Sequence, residues 1–147
     1  MAPAAACRMV QDVQWSSVTL QSESTVWQRR VLGSLLRLTH LPQSWDSYGS
    51  PRLQSSALEA AAHIISLLSL HNPPLPNITP VPGGGVQFEW ECFGRALEVE
   101  ILPDGTVEFL AVADDGRLTE GQLSETHKQL PRLLHWLTSS NASVARA

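Results

Sequence analysis

Basic residues, cysteines and long apolar runs are all scarce in this 147-residue sequence, and each scarcity excludes a class of function. Ten Lys and Arg against 14 Asp and Glu give a formal net charge of −4, and no basic cluster is evident. Domains whose main ligand is a phosphate backbone concentrate basic residues, so direct nucleic-acid binding is not expected. Charged residues make up 16% of the chain and hydrophobic residues 43%, which predicts a folded domain with a real core.

The cysteines and the absence of a long apolar run indicate the setting of the protein. Cys7 and Cys92 fit no Cys-x-x-Cys spacing, so neither a structural zinc nor a redox pair is expected. Cys92 is interpreted as a passive thiol at a strand end. The N-terminus lacks the apolar run of a signal peptide, and no segment is long enough to cross a bilayer. We therefore expect a cytoplasmic protein without membrane association.

Hydrophobic spacing predicts two helices in the first half of the chain. Apolar residues recur at steps of three and four from about Ser24 to His40, and again from about Ser55 to Leu70. Residues 1–22 lack a sustained helical period, so we expect them to form a mobile N-terminal arm.

The pattern changes to strand-like alternation after a proline-rich connector, His71 to Gly85. A short edge strand at Ile78 to Val81 is compatible with those prolines. Alternating apolar and polar residues then predict three strands, at about 86–91, 97–101 and 107–111. Turn residues at Phe93-Gly94 and Pro103-Asp104-Gly105 join these strands into an antiparallel meander.

The tail from about Thr119 to Ser139 returns to helical spacing, and Pro131 either kinks one helix or separates two. The order of elements predicts a two-layer α+β sandwich with two amphipathic helices, a three- to four-stranded antiparallel meander and a C-terminal helix. Residues 23–140 are expected to form a single domain, followed by a disordered tail at 141–147.

Five glutamates are the main polar feature of the predicted sheet. If the strands pair as a meander, all five project from the face opposite the apolar side chains: Glu89, Glu91, Glu98, Glu100 and Glu108. Like charges on neighbouring strands repel, and only Arg95 lies nearby to offset them. Two interpretations are open, a solvated face that discourages edge pairing or a docking face for a basic surface on a partner protein. Exposed strand glutamates lack the burial that separates the pKa values of an acid–base pair, so catalysis there is not expected.

Aromatic residues flank an acid in the loop between the two helices, at Trp45, Asp46 and Tyr48. In the structural interpretation both aromatic rings fold back onto the helices and sheet, and Asp46 caps local amide groups. Trp45→Ala would then cost a core-like 3–5 kcal/mol, roughly. In the alternative the loop borders a pocket of a small ligand-binding protein or hydrolase, with Glu89 close by and a carboxyl of raised pKa.

Other patterns point to no chemistry. The histidines do not form the paired motif with an acid that a zinc hydrolase helix shows, so no metal site is expected. The segment "PGGGVQFEW" leads into a strand instead of following one, so its glycines are expected to allow positive φ angles and not to hold phosphate. We expect no catalytic residue, no cofactor and no metal.

Two segments, "LPQSWDSYGSP" and "PGGGVQFEW", together resemble the paired signatures of an uncharacterised group of small bacterial proteins. In that group Trp, Asp or Asn, a small residue, Tyr and Gly precede a helix, and a Gly-Gly segment leads into a strand ending in Glu-Trp. The resemblance covers about Leu38 to Leu110 and implies no activity, because the group has no assigned chemistry.

The function expected from these observations is that of a non-enzymatic interaction module. It would be an intracellular bacterial accessory protein, regulator or inhibitor, comparable to antitoxins, immunity proteins and inhibitors of defence nucleases. Its partner would be a protein with a basic surface, bound through the five glutamates. An open sheet edge would also allow a homodimer.

Overall fold

The computed structural model describes residues 17–139, with side chains from residue 24 onward. In this part of the chain the helices are α1 (Ser17–Thr39), α2 (Ser55–Ser69) and α3 (Leu130–Thr138). The strands are β1 (Asn77–Val81), β2 (Gly85–Cys92), β3 (Arg95–Ile101), β4 (Val107–Val112) and β5 (Leu118–Gln122). They pair in chain order and antiparallel throughout. The predicted α+β fold with a C-terminal helix is confirmed, with one strand more than expected.

The helices cover one side of the sheet and leave the other side open. Both α2 and α3 pack on β2 and β3, whereas α1 packs on α2 and contacts β1. Burial alternates along β3 in strict period two, because every second side chain enters the core. The largest fully buried side chains come from both layers: Trp27, Leu35, Ile64, Ile65, Leu68, Phe88, Leu97, Ile101, Leu130 and Leu137.

Two buried tryptophans fix the proline-rich connector. The indole nitrogens of Trp27 and Trp90 both donate to the carbonyl oxygen of Pro74, at 3.4 and 2.9 Å. Because Trp27 belongs to α1 and Trp90 to β2, this one carbonyl ties the connector to both layers of the fold.

None of the described helices is long and apolar enough to span a membrane.

The first helix begins earlier than predicted, at Ser17 instead of Ser24. Residues 17–22 were expected in the arm and are helical, while residues 1–16 and 140–147 lie outside the described part of the chain. Spacing detects only the turns of a helix that repeat an apolar stripe. Among the side chains that the structure describes, the buried residues of α1 are Trp27, Val31 and Leu35.

The tail differs most from the prediction. Leu118–Gln122 is a fifth strand paired with β4, and α3 begins only at Leu130, so the expectation of helix from Thr119 onward is wrong. Pro131 lies in the first turn of α3. Backbone N–H groups in the first turn have no partner inside the helix, so the N–H that proline lacks costs no helical hydrogen bond. Pro131 therefore starts a helix and does not kink one.

The turns follow the predicted chemistry. Phe93 and Gly94 form the two-residue turn between β2 and β3 with φ angles of 53° and 74°. In the glycine-rich segment, Gly83 and Gly84 also have positive φ, at 97° and 99°. The amide of Gln54 donates to the Gly84 carbonyl at 3.0 Å, so the glycine turn is joined to the segment that leads into α2.

Cys92 ends β2 in the core and is disulfide-bonded, so the expectation of a passive thiol at this position is wrong. Cys7, the other cysteine of the sequence, lies outside the described residues. Cytoplasmic reductants keep most cysteine thiols reduced, so a disulfide does not support the expected cytoplasmic location. That location stays a prediction.

Candidate functional site

The open side of the sheet carries all five glutamates that the strand period assigns to it. A sixth joins them from β5, because Glu120 pairs with Leu110 on the same side. We call these six residues the acidic face: Glu89, Glu91, Glu98, Glu100, Glu108 and Glu120. Three of them are half-buried, Glu89, Glu98 and Glu100, and the other three are exposed.

Strand register sets glutamates of the acidic face directly opposite one another. Glu89 pairs with Glu98 across β2 and β3, and Glu100 pairs with Glu108 across β3 and β4. Side chains opposed in this way have Cβ atoms about 4.5–5.5 Å apart, and a like-charge pair is destabilising on a scale of about 0.2–1 kcal/mol. The fold therefore carries two unfavourable pairs on one surface.

Among the described residues, neutral side-chain amides contact one member of the acidic face, Glu89. Gln87 donates its side-chain amide to Glu89 Oε1, and Asn77 donates to Glu89 Oε2 at 3.5 Å. No glutamate of this face forms an ion pair with a described residue, and the ion pair that the described chain does contain joins Arg117 to Asp115.

Arg95 does not offset the acidic face, which corrects the prediction made from the sequence. Its side chain enters the core side and is 4% exposed. Its Nη1 donates to the carbonyl oxygens of Trp136 and Ser139, at 2.7 and 2.6 Å, and the guanidinium lies 5.6 Å from the Trp136 ring centroid. Helix C-termini expose unpaired carbonyls with partial negative charge, so Arg95 stabilises the end of α3.

Apolar side chains border the acidic face at its β4–β5 end. Leu110 and Val112 of β4 point to this side, and Leu118 of β5 lies opposite Val112. Leu118 is 67% exposed, and every residue of β5 is exposed. The open side thus carries carboxylates on all strands from β2 to β5 and apolar side chains at one corner. The edge strand at that corner is β5.

Asp46 organises the loop between α1 and α2. Its carboxylate accepts from the Tyr48 and Ser50 amides, at 3.0 and 3.2 Å, and from the Ser50 hydroxyl. The bond from the Ser50 hydroxyl, followed by those from the two amides, lowers the pKa of Asp46 despite partial desolvation. This is the local capping role of the structural interpretation, and it is the opposite of the raised pKa that the pocket alternative requires.

The two aromatic rings of this loop do not anchor the helices to the sheet, so that part of the structural interpretation is wrong. Tyr48 is 93% exposed. Trp45 is half-buried and does not belong to the core cluster. The loop is held by its own hydrogen bonds, including Ser44 N–H to the Ser50 carbonyl at 2.7 Å, and needs no ring in the core.

A histidine pair joins α2 to the loop before α3. The Nδ1 atoms of His63 and His127 lie 2.7 Å apart, so one ring donates and the other accepts. Burial, together with the charge of His63, lowers the pKa of His127. Sequence reasoning missed this pair, because nothing local relates residues 64 positions apart. Within the described residues, no group of three or more His, Cys, Asp or Glu side chains could hold a metal ion.

Two clefts lie away from the acidic face and from the Trp45 loop. The first, of about 410 Å³, runs between the outer flank of α1 and the connector before β1. We call it the arginine cleft, lined chiefly by Arg29, Arg30, Ser34, Arg37, Leu75 and Pro76. The second, of about 200 Å³, lies by the β3–β4 turn between Asp104, Glu125 and His127.

No protein-family model, curated protein or solved structure matches this chain. The resemblance of its two segments to a group of small bacterial proteins stays a prediction.

Proposed function

We propose that this protein is a non-enzymatic interaction module that binds a basic surface of a partner protein through its acidic face, as a regulator or inhibitor. The strand register carries this proposal. Two Glu–Glu pairs stand directly opposed on the uncovered side of the sheet, and none of these glutamates forms an ion pair with a described residue. An arrangement that lowers the stability of the free protein is explained if a partner supplies the missing cations.

The chemistry of the open side fits such a partner. Guanidinium groups of a partner bind carboxylates through paired, charge-assisted hydrogen bonds. The apolar corner around Leu110 and Leu118 offers a smaller area for a nonpolar contact next to those charges. Electrostatic attraction of this kind speeds association and weakens as salt screens it.

Charge reversal on the sheet tests the proposal against the alternative of a merely solvated face. In the variant Glu98→Lys with Glu100→Lys, each change puts a cation opposite a remaining glutamate, so we expect the protein to stay folded. The tagged protein is used to recover partners from its native host, and affinity for each purified partner is then measured directly. We expect this variant to bind at least tenfold more weakly than the unchanged protein.

A second variant separates the position of the charge from its amount. Glu59→Lys with Glu125→Lys changes the net charge equally, at exposed positions on α2 and in the loop before α3. It should bind within about twofold of the unchanged protein. Equal binding by all three proteins would leave the acidic face as a solvated surface and remove the proposal.

A further inference from the structure

The arginine cleft concentrates positive charge in a protein whose net charge is −4. Arg29, Arg30 and Arg37 are exposed, and none of them forms an ion pair with a described carboxylate. Arg37 donates from Nη2 to the Ser34 hydroxyl at 3.0 Å instead. Three guanidinium groups on one helix flank repel one another, and no described carboxylate lies within ion-pair distance of them.

The spacing of these arginines explains why the sequence shows no basic cluster. Arg30 and Arg37 are seven residues apart, which is two helical turns or roughly 10.5 Å along the axis, on the same flank of α1. Arg29 adds a third guanidinium beside Arg30. Only the helical fold turns this dispersed set into one positively charged wall.

The opposite wall of the cleft is fixed in place. Leu75 and Pro76 follow directly after Pro74, whose carbonyl accepts from both buried indoles, Trp27 and Trp90. A wall held by hydrogen bonds to two layers of the core exists before any ligand arrives, and a preformed site binds more tightly because less ordering is needed.

Gly33 lies on the helix wall of the cleft, among the arginines. A glycine inside a helix lowers helix stability relative to alanine. Packing does not require it here, because a Cβ at this position would meet no atom within 4 Å. The fold itself therefore does not need a glycine at this position of the cleft wall.

We propose that the arginine cleft binds a multivalent organic oxyanion, a small molecule that carries two or more phosphate or carboxylate groups. Guanidinium forks match the geometry of both groups. Leu75 and Pro76 supply apolar surface for the carbon skeleton, and about 410 Å³ lies in the size range of small-molecule sites. The cleft lies on the helix side of the fold and does not involve the acidic face, so this site is independent of partner docking.

Calorimetric titration with pyrophosphate and with citrate, at constant ionic strength, tests this site. Saturable binding of pyrophosphate alone would identify phosphate as the group recognised, and binding of citrate alone would identify carboxylate. Arg30→Gln with Arg37→Gln should weaken binding at least tenfold. Arg52→Gln with Arg132→Gln removes two other exposed arginines and should change the affinity less than twofold.

A second pair of variants uses Gly33. Gly33→Glu introduces a carboxylate beside the arginines and should abolish binding of both probes, whereas Gly33→Ala should bind within about threefold of the unchanged protein. Both substitutions raise helix propensity, so misfolding is not the expected cause of a loss.

Two outcomes would overturn the proposal. The first is no saturable binding of either probe; binding of a short DNA duplex through Arg30 and Arg37 in that case would show that the cleft contacts a phosphate backbone instead. The second is an equal loss in the Arg52 and Arg132 control. The variant Glu98→Lys with Glu100→Lys should retain oxyanion binding, which separates this site from the acidic face.

Discussion

His127 is a buried residue whose charge state should affect stability. It has a positive φ of 54° and is 5% exposed, and its pKa is lowered below the ordinary value of 6.5 by burial and by His63. The unfolded chain therefore binds a proton more readily than the folded protein does. The free energy of unfolding should fall as pH drops below about 6.5, and it should level off once the folded-state pKa is passed.

His127→Asn removes this titration while keeping a residue that tolerates positive φ. We expect the variant to lose most of the decline in unfolding free energy between pH 7.5 and 5, measured by urea denaturation. His71→Asn changes an exposed histidine at the end of α2 and should leave the decline in place. An unchanged pH dependence in the His127 variant would show that another group is responsible.

The tryptophans of β2 and of the α1–α2 loop should differ in their contribution to stability. Trp90 is 3% exposed and donates to Pro74, so Trp90→Ala should cost about 3–5 kcal/mol. Trp45 is half-buried outside the core cluster, so Trp45→Ala should cost roughly 1–2 kcal/mol, in proportion to the smaller apolar area it buries. Equal losses in chemical denaturation would place Trp45 in the core after all.

Elements with a regular hydrophobic period were predictable from the sequence, and the others were not. The α2 helix was predicted to end at Leu70 and ends at Ser69, and the four strands from β1 to β4 lie where alternation or the edge position indicated. The β5 strand was missed because all of its residues are exposed and no apolar face repeats. Backbone pairing with β4 alone defines it, and pairing is a tertiary property.

Two glycines in regular elements should respond oppositely to the same substitution. A Cβ at Gly85 would lie 2.4 Å from the backbone oxygen of Ile101, and that oxygen cannot move without disturbing the pairing of β2 with β3. Gly85→Ala should therefore lower the free energy of unfolding by about 2 kcal/mol or more. Gly33→Ala meets no atom within 4 Å and should raise it by up to about 1 kcal/mol.

Thermal and urea denaturation of both variants measure this contrast. A stable Gly85→Ala protein would mean that the start of β2 does not approach β3 as closely as described. A destabilised Gly33→Ala protein would mean that the flank of α1 is packed, which would also close the arginine cleft.

Over the whole molecule, charge of opposite sign is segregated onto different surfaces. Period two in the strands was sufficient to place five glutamates on one side, since alternation fixes the face of every residue once a strand is known. Their partners could not be predicted, because the destination of Arg95 depends on where α3 ends. The arginine cleft needs both the helical rotation of α1 and the position of the connector, and neither is local in sequence.

Stability at low salt is the property that this segregation should control. Screening shortens the reach of a charge from roughly 30 Å at 0.01 M salt to about 8 Å at 0.15 M, so added salt weakens the repulsion within the acidic face. We expect the free energy of unfolding to rise over this range. In Glu98→Lys with Glu100→Lys, opposed pairs become attractive, so stability at 0.01 M salt should increase by about 1 kcal/mol and the rise with salt should shrink or reverse.

The control is again Glu59→Lys with Glu125→Lys, which alters net charge without touching the sheet. If self-repulsion of the whole chain governed stability, both variants would gain equally. A gain confined to the sheet variant assigns the effect to the opposed glutamates. Such a variant would be more stable than the natural protein and would bind its partner more weakly. Both changes together are expected when residues of a surface are kept for binding at a cost in folding stability.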